Sequence, residues 1–403
     1  MMRFKHLVTA GLAIAALSAP AFAQSLTLDH AIRAALGHDP STDEARALVD
    51  QAQSGLDAAR AKRGVQVGAM ARAGGAYTDF TNDTVSQTPL QAGVEASWTL
   101  YASGRMQAEV DRTSHQKSAA EYGAQALREQ VMLDTIRAYA DVWLAQETVA
   151  VRKSKVETLE LRLQETEARH RQGLVTQTDV SLGEARLAGA AAEMEAARAA
   201  QSASVARLER LTGITAPNVV AMNADELVLP PTLMDARNAA LANSAQLAQA
   251  KAAQRAARAG AKEAEAEFCP KVSLSARAGA ARDAYFFFEE DISDVGAFVN
   301  FEMPLFTNGL KGAAVRGAVA GKARADAMAR RAELSVNEAV SALWGDISAR
   351  RLALVAAKRG ETAAETVAEG ARREHDGGLR TFVDALDAED ERRLAQIRRL
   401  DAE

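Results

Sequence analysis

Few residues of this chain combine the type and the spacing that chemistry requires. His170 and His375 invite a metal or catalytic reading, but each stands in a charged turn with no second His at ligand spacing. Cys269 is the single cysteine, so no intrachain disulfide and no thiolate metal site can form. Next to Pro270 it reads as a small buried residue. A hydrolase finds no support, since no Gly-x-Ser-x-Gly, His pair or nucleotide-binding loop occurs. No enzyme activity, metal or cofactor is expected. The remaining candidates are charges beside turns. Asp384 and Asp387 lie three residues apart where a helix should begin, which suits the positive end of a helix dipole. Asp179 and Arg380 have opposite charge. Where opposite charges of this kind meet a partner, the result is either a charge-assisted bond or a loose surface pair contributing less than about 1 kcal/mol.

Composition bounds what can position these groups. Aromatics make up 5% of the 403 residues and there are 8 Pro, while Ala, Glu, Arg and Gln abound. That bias favours long helices and coiled coils over a thick mixed core. A net charge of -5 argues against nucleic acid as a partner. Residues 1–23 read as a signal peptide: Arg3 and Lys5, an apolar stretch from Leu7 to Leu17, then Ala21-Phe22-Ala23 for cleavage before Gln24. No later run of 18 apolar residues appears, so any membrane span must be a barrel.

The chain repeats itself at an offset of 205 residues, which pairs Leu36 with Leu241, Arg72 with Arg277 and Gly104 with Gly309. The same offset pairs His170, Gly173, Leu174, Thr176 and Asp179 with His375, Gly378, Leu379, Thr381 and Asp384. One constant offset over so long a stretch indicates a duplicated unit. The expected layout is a first repeat over 24–211, a linker over 212–231 rich in Pro, and a second repeat over 232–403.

Each repeat opens with a helix, Leu28 to Lys62 and Thr232 to Glu267, the first interrupted at Asp39-Pro40. Period-two alternation follows, in Val65–Ala73 and Leu90–Leu100, then in Val272–Ala278 and Val295–Leu305. Ten-residue strands with one apolar and one small or polar face suit a membrane barrel with a wet lumen. Locally they also suit a half-buried hairpin of a soluble domain. Thr78–Pro89 and Arg282–Asp294 read as loops between paired strands, the second carrying Tyr285-Phe286-Phe287-Phe288 as an interfacial anchor or a mouth-covering loop. Long helices come next, from about Ser103 to Gln172 and from about Gly312, each turning at glycine into a return helix. Such helices must pack laterally to bury a seam like Ile136, Tyr139 and Trp143. A pore-less trimeric coiled coil, structural or adhesive, would explain these helices but not the duplicated strand pairs.

Order, duplication and spacing together resemble the TolC family of outer-membrane efflux and secretion channels over residues 26–403. The resemblance rests on Leu28-Asp29-His30-Ala31-Ile32, Asp39-Pro40 and Pro270-Lys271-Val272-Ser273-Leu274. It also rests on Trp98–Arg105 and Met303–Gly309 at the strand-to-helix joins, and on the turn motifs Arg169–Val180 and Gly378–Ala388. It implies an α+β fold in which four strands per protomer make a twelve-stranded barrel in a homotrimer, joined to a long periplasmic helical tunnel. It implies an exit duct of the outer membrane of a Gram-negative bacterium. Its partners would be a periplasmic adaptor protein and an inner-membrane pump or ABC transporter, in efflux or in type I secretion. Arg169, Gly173, Leu174, Thr176, Gly378, Leu379 and Thr381 would form the adaptor-docking tips. Asp384 and Asp387 would ring the entrance, and Arg380 with Asp179 would tie neighbouring hairpins together.

Two departures stand out. The end of the first repeat near Gly213 projects to a position about 15 residues beyond Glu403, so the last return helix should be shorter than its counterpart. This leaves either a truncated chain or a pared-down belt around the tunnel. Glu374 stands where the first repeat has Arg169, so the tips differ in charge.

Overall fold

The computed structural model describes residues 25–80, 83–215, 217–222, 229–282 and 291–403. The expected signal segment with Ala21 and Ala23, and the Tyr285–Phe288 cluster, lie outside the described residues. Two compact units emerge, one of the chain up to Gly37 with Asp134–Ala224, the other of His38–Leu133 with Asp225–Glu403.

The opening helix forms as α1 (Leu28–His38) and α2 (Pro40–Ala61). Asp39 separates them: its carboxylate accepts the Ser41 N–H at 2.9 Å, and Pro40 occupies a first-turn position where no N–H is needed. The second repeat departs from expectation. Its helix over Thr232–Glu267 breaks into α5 (Leu233–Asn243) and α6 (Ala245–Ala266), with the Ser244 hydroxyl accepting the Leu247 N–H at 3.2 Å. Ser244 stands at the repeat position of Asp39, so a capping oxygen makes the break and proline is dispensable.

The first unit closes around Tyr139, which is fully buried with Val142 and Leu208. Its hydroxyl donates to the Leu26 carbonyl at 2.7 Å and accepts the Val220 N–H at 3.1 Å. Leu26 bridges Val219 in parallel, its N–H donating to the Asn218 carbonyl at 2.7 Å. Burial raises the Tyr139 pKa above its ordinary value, against a backbone hydrogen bond with Val220. The proline-rich linker thus packs against the long helix through the Tyr139 hydroxyl, through Gln146, whose Nε2 donates to the Asn218 side-chain oxygen at 3.0 Å, and through Val219 in the buried cluster.

In the second unit β1 (Gln66–Ala73), β4 (Leu90–Tyr101), β5 (Lys271–Arg282) and β6 (Ile292–Glu302) form one antiparallel sheet in the order β1-β4-β5-β6. One face carries Val67, Val94, Leu274 and Val299; the other carries Glu95, Ser97, Ser275, Arg277 and Asn300. Among the described residues nothing covers the apolar face, with Val67 74% and Val295 87% exposed. β1 and β6 each have one sheet neighbour among the described residues. Three expectations need correction. The Thr78–Pro89 loop holds a hairpin, β2 (Ala76–Phe80) with β3 (Asp83–Gln87), as suits strand-favouring types such as Tyr77 and Val85. β5 continues to Arg282 and β6 begins at Ile292, inside the other expected loop. β6 ends at Glu302, short of Met303 and Leu305, because Pro304 has no N–H for a ladder.

Each strand pair passes into a long helix through the same turn. Ser103 and Gly104 have φ of 47° and 82°, Asn308 and Gly309 of 46° and 86°. Arg105 N–H donates to the Ala102 carbonyl at 2.8 Å, and Leu310 N–H to the Thr307 carbonyl at 2.9 Å, the pattern of a type I′ turn. The helices are α3 (Arg105–Arg171) returning as α4 (Gln177–Thr212), and α7 (Leu310–Asp376) returning as α8 (Phe382–Ala402). At 67 residues, α3 and α7 are each about 100 Å long. No helix among the described residues is long and apolar enough to cross a membrane.

Candidate functional site: the two helical turns

The first turn is built from residues that end one helix and start the next. Gly173 has φ +75°, which a side chain would strain, and its N–H donates to the His170 carbonyl at 2.8 Å. Leu174 N–H reaches the Arg169 carbonyl at 3.0 Å, completing a Schellman closure. Thr176 caps α4: its hydroxyl accepts the Asp179 N–H at 3.3 Å, while Asp179 accepts the Thr176 N–H at 2.9 Å. The Thr176 hydroxyl also donates to Asp179 at 2.8 Å. These bonds, the hydroxyl first, hold the Asp179 carboxyl below its ordinary pKa.

The second turn repeats the frame. Gly378 has φ +73°, its N–H donates to the His375 carbonyl at 2.9 Å, and Leu379 N–H reaches the Glu374 carbonyl at 2.8 Å. The Thr381 hydroxyl accepts the Asp384 N–H at 3.2 Å and donates to the Asp384 carboxylate at 2.7 Å. Asp384 and Asp387 are exposed on α8, while Leu386 between them is buried. Arg380 pairs with Glu374 at 3.5 Å, whereas Asp179 is held by Thr176. Each of these two charges therefore has its partner within its own turn.

The histidines have a role that the sequence reading missed. His170 Nδ1 lies 3.0 Å from the Val175 carbonyl, and His375 Nδ1 lies 3.1 Å from the Arg380 carbonyl. Each imidazole braces its turn from the helix end to the residue before the next cap. The available signal was their shared place in the repeat, which a search for metal ligands passes over.

Each turn presents an exposed apolar side chain among charges. Leu174 and Leu379 are 69% and 85% exposed, each raised on a rigid backbone closure. The charge around them differs in sign: Arg169 and Arg171 outnumber Asp179 at the first turn, and Glu374, Asp376 and Asp384 outnumber Arg380 at the second. Among the described residues no group of three or more His, Cys, Asp or Glu is placed to hold a metal ion.

Comparison with known proteins gives this arrangement a context. The outer membrane efflux protein family model matches residues 31–214 and 236–403. The chain is 27% identical over 304 residues to the outer membrane efflux protein BepC of Brucella suis, covering 72% of this chain and 65% of BepC. It is 25% identical over 271 residues to the outer membrane protein TolC of Escherichia coli, covering 64% of this chain and 55% of TolC. The alignments thus span less than two thirds of either relative's length. Among solved structures, the outer membrane protein VceC of Vibrio cholerae shares the fold with a TM-score of 0.76 at 21% identity, covering 93% of this chain and 92% of VceC.

Proposed function

Because this chain belongs to the outer membrane efflux protein family, we propose that it is one protomer of a homotrimeric exit duct in the outer membrane of a Gram-negative bacterium. Three copies would close a twelve-stranded barrel, and the long helices would form a tunnel into the periplasm. The sheet is the observation that carries this reading. It exposes an apolar face and ends in β1 and β6, strands with one neighbour each. Lipid does not tolerate open sheet edges, so a spanning sheet of four strands must close with further copies.

The duct would be passive, drawing substrates from an inner-membrane pump or an ABC transporter, in efflux or in type I secretion. A periplasmic adaptor protein would dock on the turns through Leu174 and Leu379 and open the entrance. Symmetry would bring three copies of Asp384 and Asp387 around one opening, attracting cations and repelling anions. On assembly Arg380 and Asp179 would exchange or share their partners within the turn, Glu374 and Thr176, for bonds to neighbouring hairpins that hold the closed state and break on opening.

Single-channel conductance in a planar bilayer tests this, comparing wild type with the Asp384→Ser, Asp387→Ser double variant. The expected result is a low-conductance, cation-preferring pore whose conductance rises and whose preference falls in the variant. A pore indifferent to the substitutions removes the gate and leaves the duct. Folded, trimeric protein that forms no pore removes the duct in favour of a structural coiled coil.

A further inference from the structure

The polar face of the sheet contains a hollow. Gly93 of β4 and Gly279 of β5 are register partners, and a Cβ added at Gly93 would meet the Ala278 carbonyl at 3.0 Å. Bare backbone therefore forms the floor of a cavity of about 300 Å³, walled by Met70, Glu95, Arg277, Ile292 and Asp294. This volume is at the low end of the roughly 300–1,000 Å³ typical of small-molecule sites.

Its charges are unevenly engaged. Arg277 Nε lies 3.0 Å from the Asp294 carboxylate, and the guanidinium sits 5.4 Å from the centroid of the Phe298 ring. That ring lies over Gly296, where an added Cβ would come within 2.8 Å of it. Arg277 is thus matched by one carboxylate and one aromatic face. Glu95 is the register partner of Arg277, yet its side chain makes no ion pair or hydrogen bond among the described residues. One negative charge is left over on the side of the hollow nearest Met70, whose register partner Gly93 lies two residues from Glu95. The repeat does not dictate this: Arg277 and Asp294 stand where the first repeat has Arg72 and Pro89.

We propose that the hollow is a resting site for organic cations in the lumen wall of the duct, with Glu95 taking the ammonium and Met70 the apolar body. The proposal rests on the channel reading above. An anion would meet the surplus carboxylate. A bare divalent ion would want six or more oxygen ligands, or several waters, in place of an apolar wall.

Tetrabutylammonium, with tetramethylammonium as its small control, is added to the barrel side of single channels at low salt. Tetrabutylammonium should block wild-type current at lower concentration than tetramethylammonium. Glu95→Gln should weaken that block about tenfold, the loss of about 1.4 kcal/mol. Arg277→Gln, which frees Asp294, should strengthen it, and molar salt should abolish the difference as screening shortens to about 3 Å. Block unchanged in Glu95→Gln, in a variant with wild-type unblocked conductance, overturns the site and leaves the duct. Block lost in the Asp384→Ser, Asp387→Ser variant and kept in Glu95→Gln moves the cation to the entrance and overturns the site as well. Protein that forms no pore at all removes the duct, and the wall site with it.

Discussion

The two helical hairpins share a backbone and differ in what they bury. The α3–α4 hairpin closes on Tyr139, whose repeat position in the second hairpin holds the half-buried Trp344. The α7–α8 hairpin buries Arg393, its side chain 6% exposed, where the first has Ala188. Arg393 lies 3.4 Å from Glu389 and 3.8 Å from Asp390. Burial lowers the Arg393 pKa against the pull of Glu389. Burial also works to raise the Glu389 pKa, but the hydrogen bond from Arg392 and the charges of Arg392, Arg393 and Arg372 hold it below its ordinary value. Turn glycines and caps answer to backbone geometry that any copy must satisfy, so they persist. Interior packing answers to whatever each hairpin meets, so it diverges.

The largest effect should come from the first hairpin's aromatic. Tyr139→Phe deprives the Leu26 carbonyl and the Val220 N–H of their partner, at a cost of about 2–3 kcal/mol. Hydrogen exchange should quicken along α3 and α4 while α8 is unchanged. An equal loss in both hairpins would break the contrast.

The second hairpin should respond to charge instead. Glu389→Gln leaves Arg393 poorly compensated and should cost about 1–2 kcal/mol, less than a fully buried pair because Glu389 is 28% exposed. Since the native Glu389 pKa is depressed, its contribution is complete above the unfolded carboxylate pKa and fades as pH falls through the native one. Arg393→Met should be neutral or stabilising, because a packed apolar side chain replaces a desolvated charge. A large loss in Arg393→Met would mean that the arginine is an anchor after all.

What the sequence made legible follows the same division. Gly173, Gly378 and the Asp39-Pro40 break were readable because φ and the missing N–H are properties of single residues. The strand faces were readable from period-two alternation, down to the small and polar row on one side. The Ser244 break was not, because serine caps a helix only when the next turn presents its N–H groups. Nor was buried Arg393: α7 buries the alanines Ala329, Ala368 and Ala371, and small residues give no pattern of large apolar side chains to mark the interior. His170 and His375 were visible as a repeated pair, but their reach to a carbonyl five residues on depends on the turn geometry.

If the turns share one frame, glycine substitutions should not distinguish them. Gly173→Ala and Gly378→Ala each place a side chain at φ above +70°, costing about 1 kcal/mol. The measurement is fraying of the flanking helix ends by hydrogen exchange. A cost confined to one turn would show that the other relaxes to a different closure.

The smallest effect should separate the turns again, at their caps. Asp179 receives the Thr176 N–H as well as its hydroxyl, a full capping box, whereas Asp384 takes the Thr381 hydroxyl. Thr176→Ala should therefore cost about 1 kcal/mol and Thr381→Ala somewhat less. The Asp179 carboxyl is held below its ordinary pKa by those bonds, so its contribution is present above the unfolded carboxylate pKa. As pH falls through the lowered native value that contribution is lost, and the start of α4 should fray in acid. Asp179→Asn should fray at neutral pH and show no further acid step. If the asparagine variant keeps the acid step, another group controls the turn and the capping box is not the difference between the two hairpins.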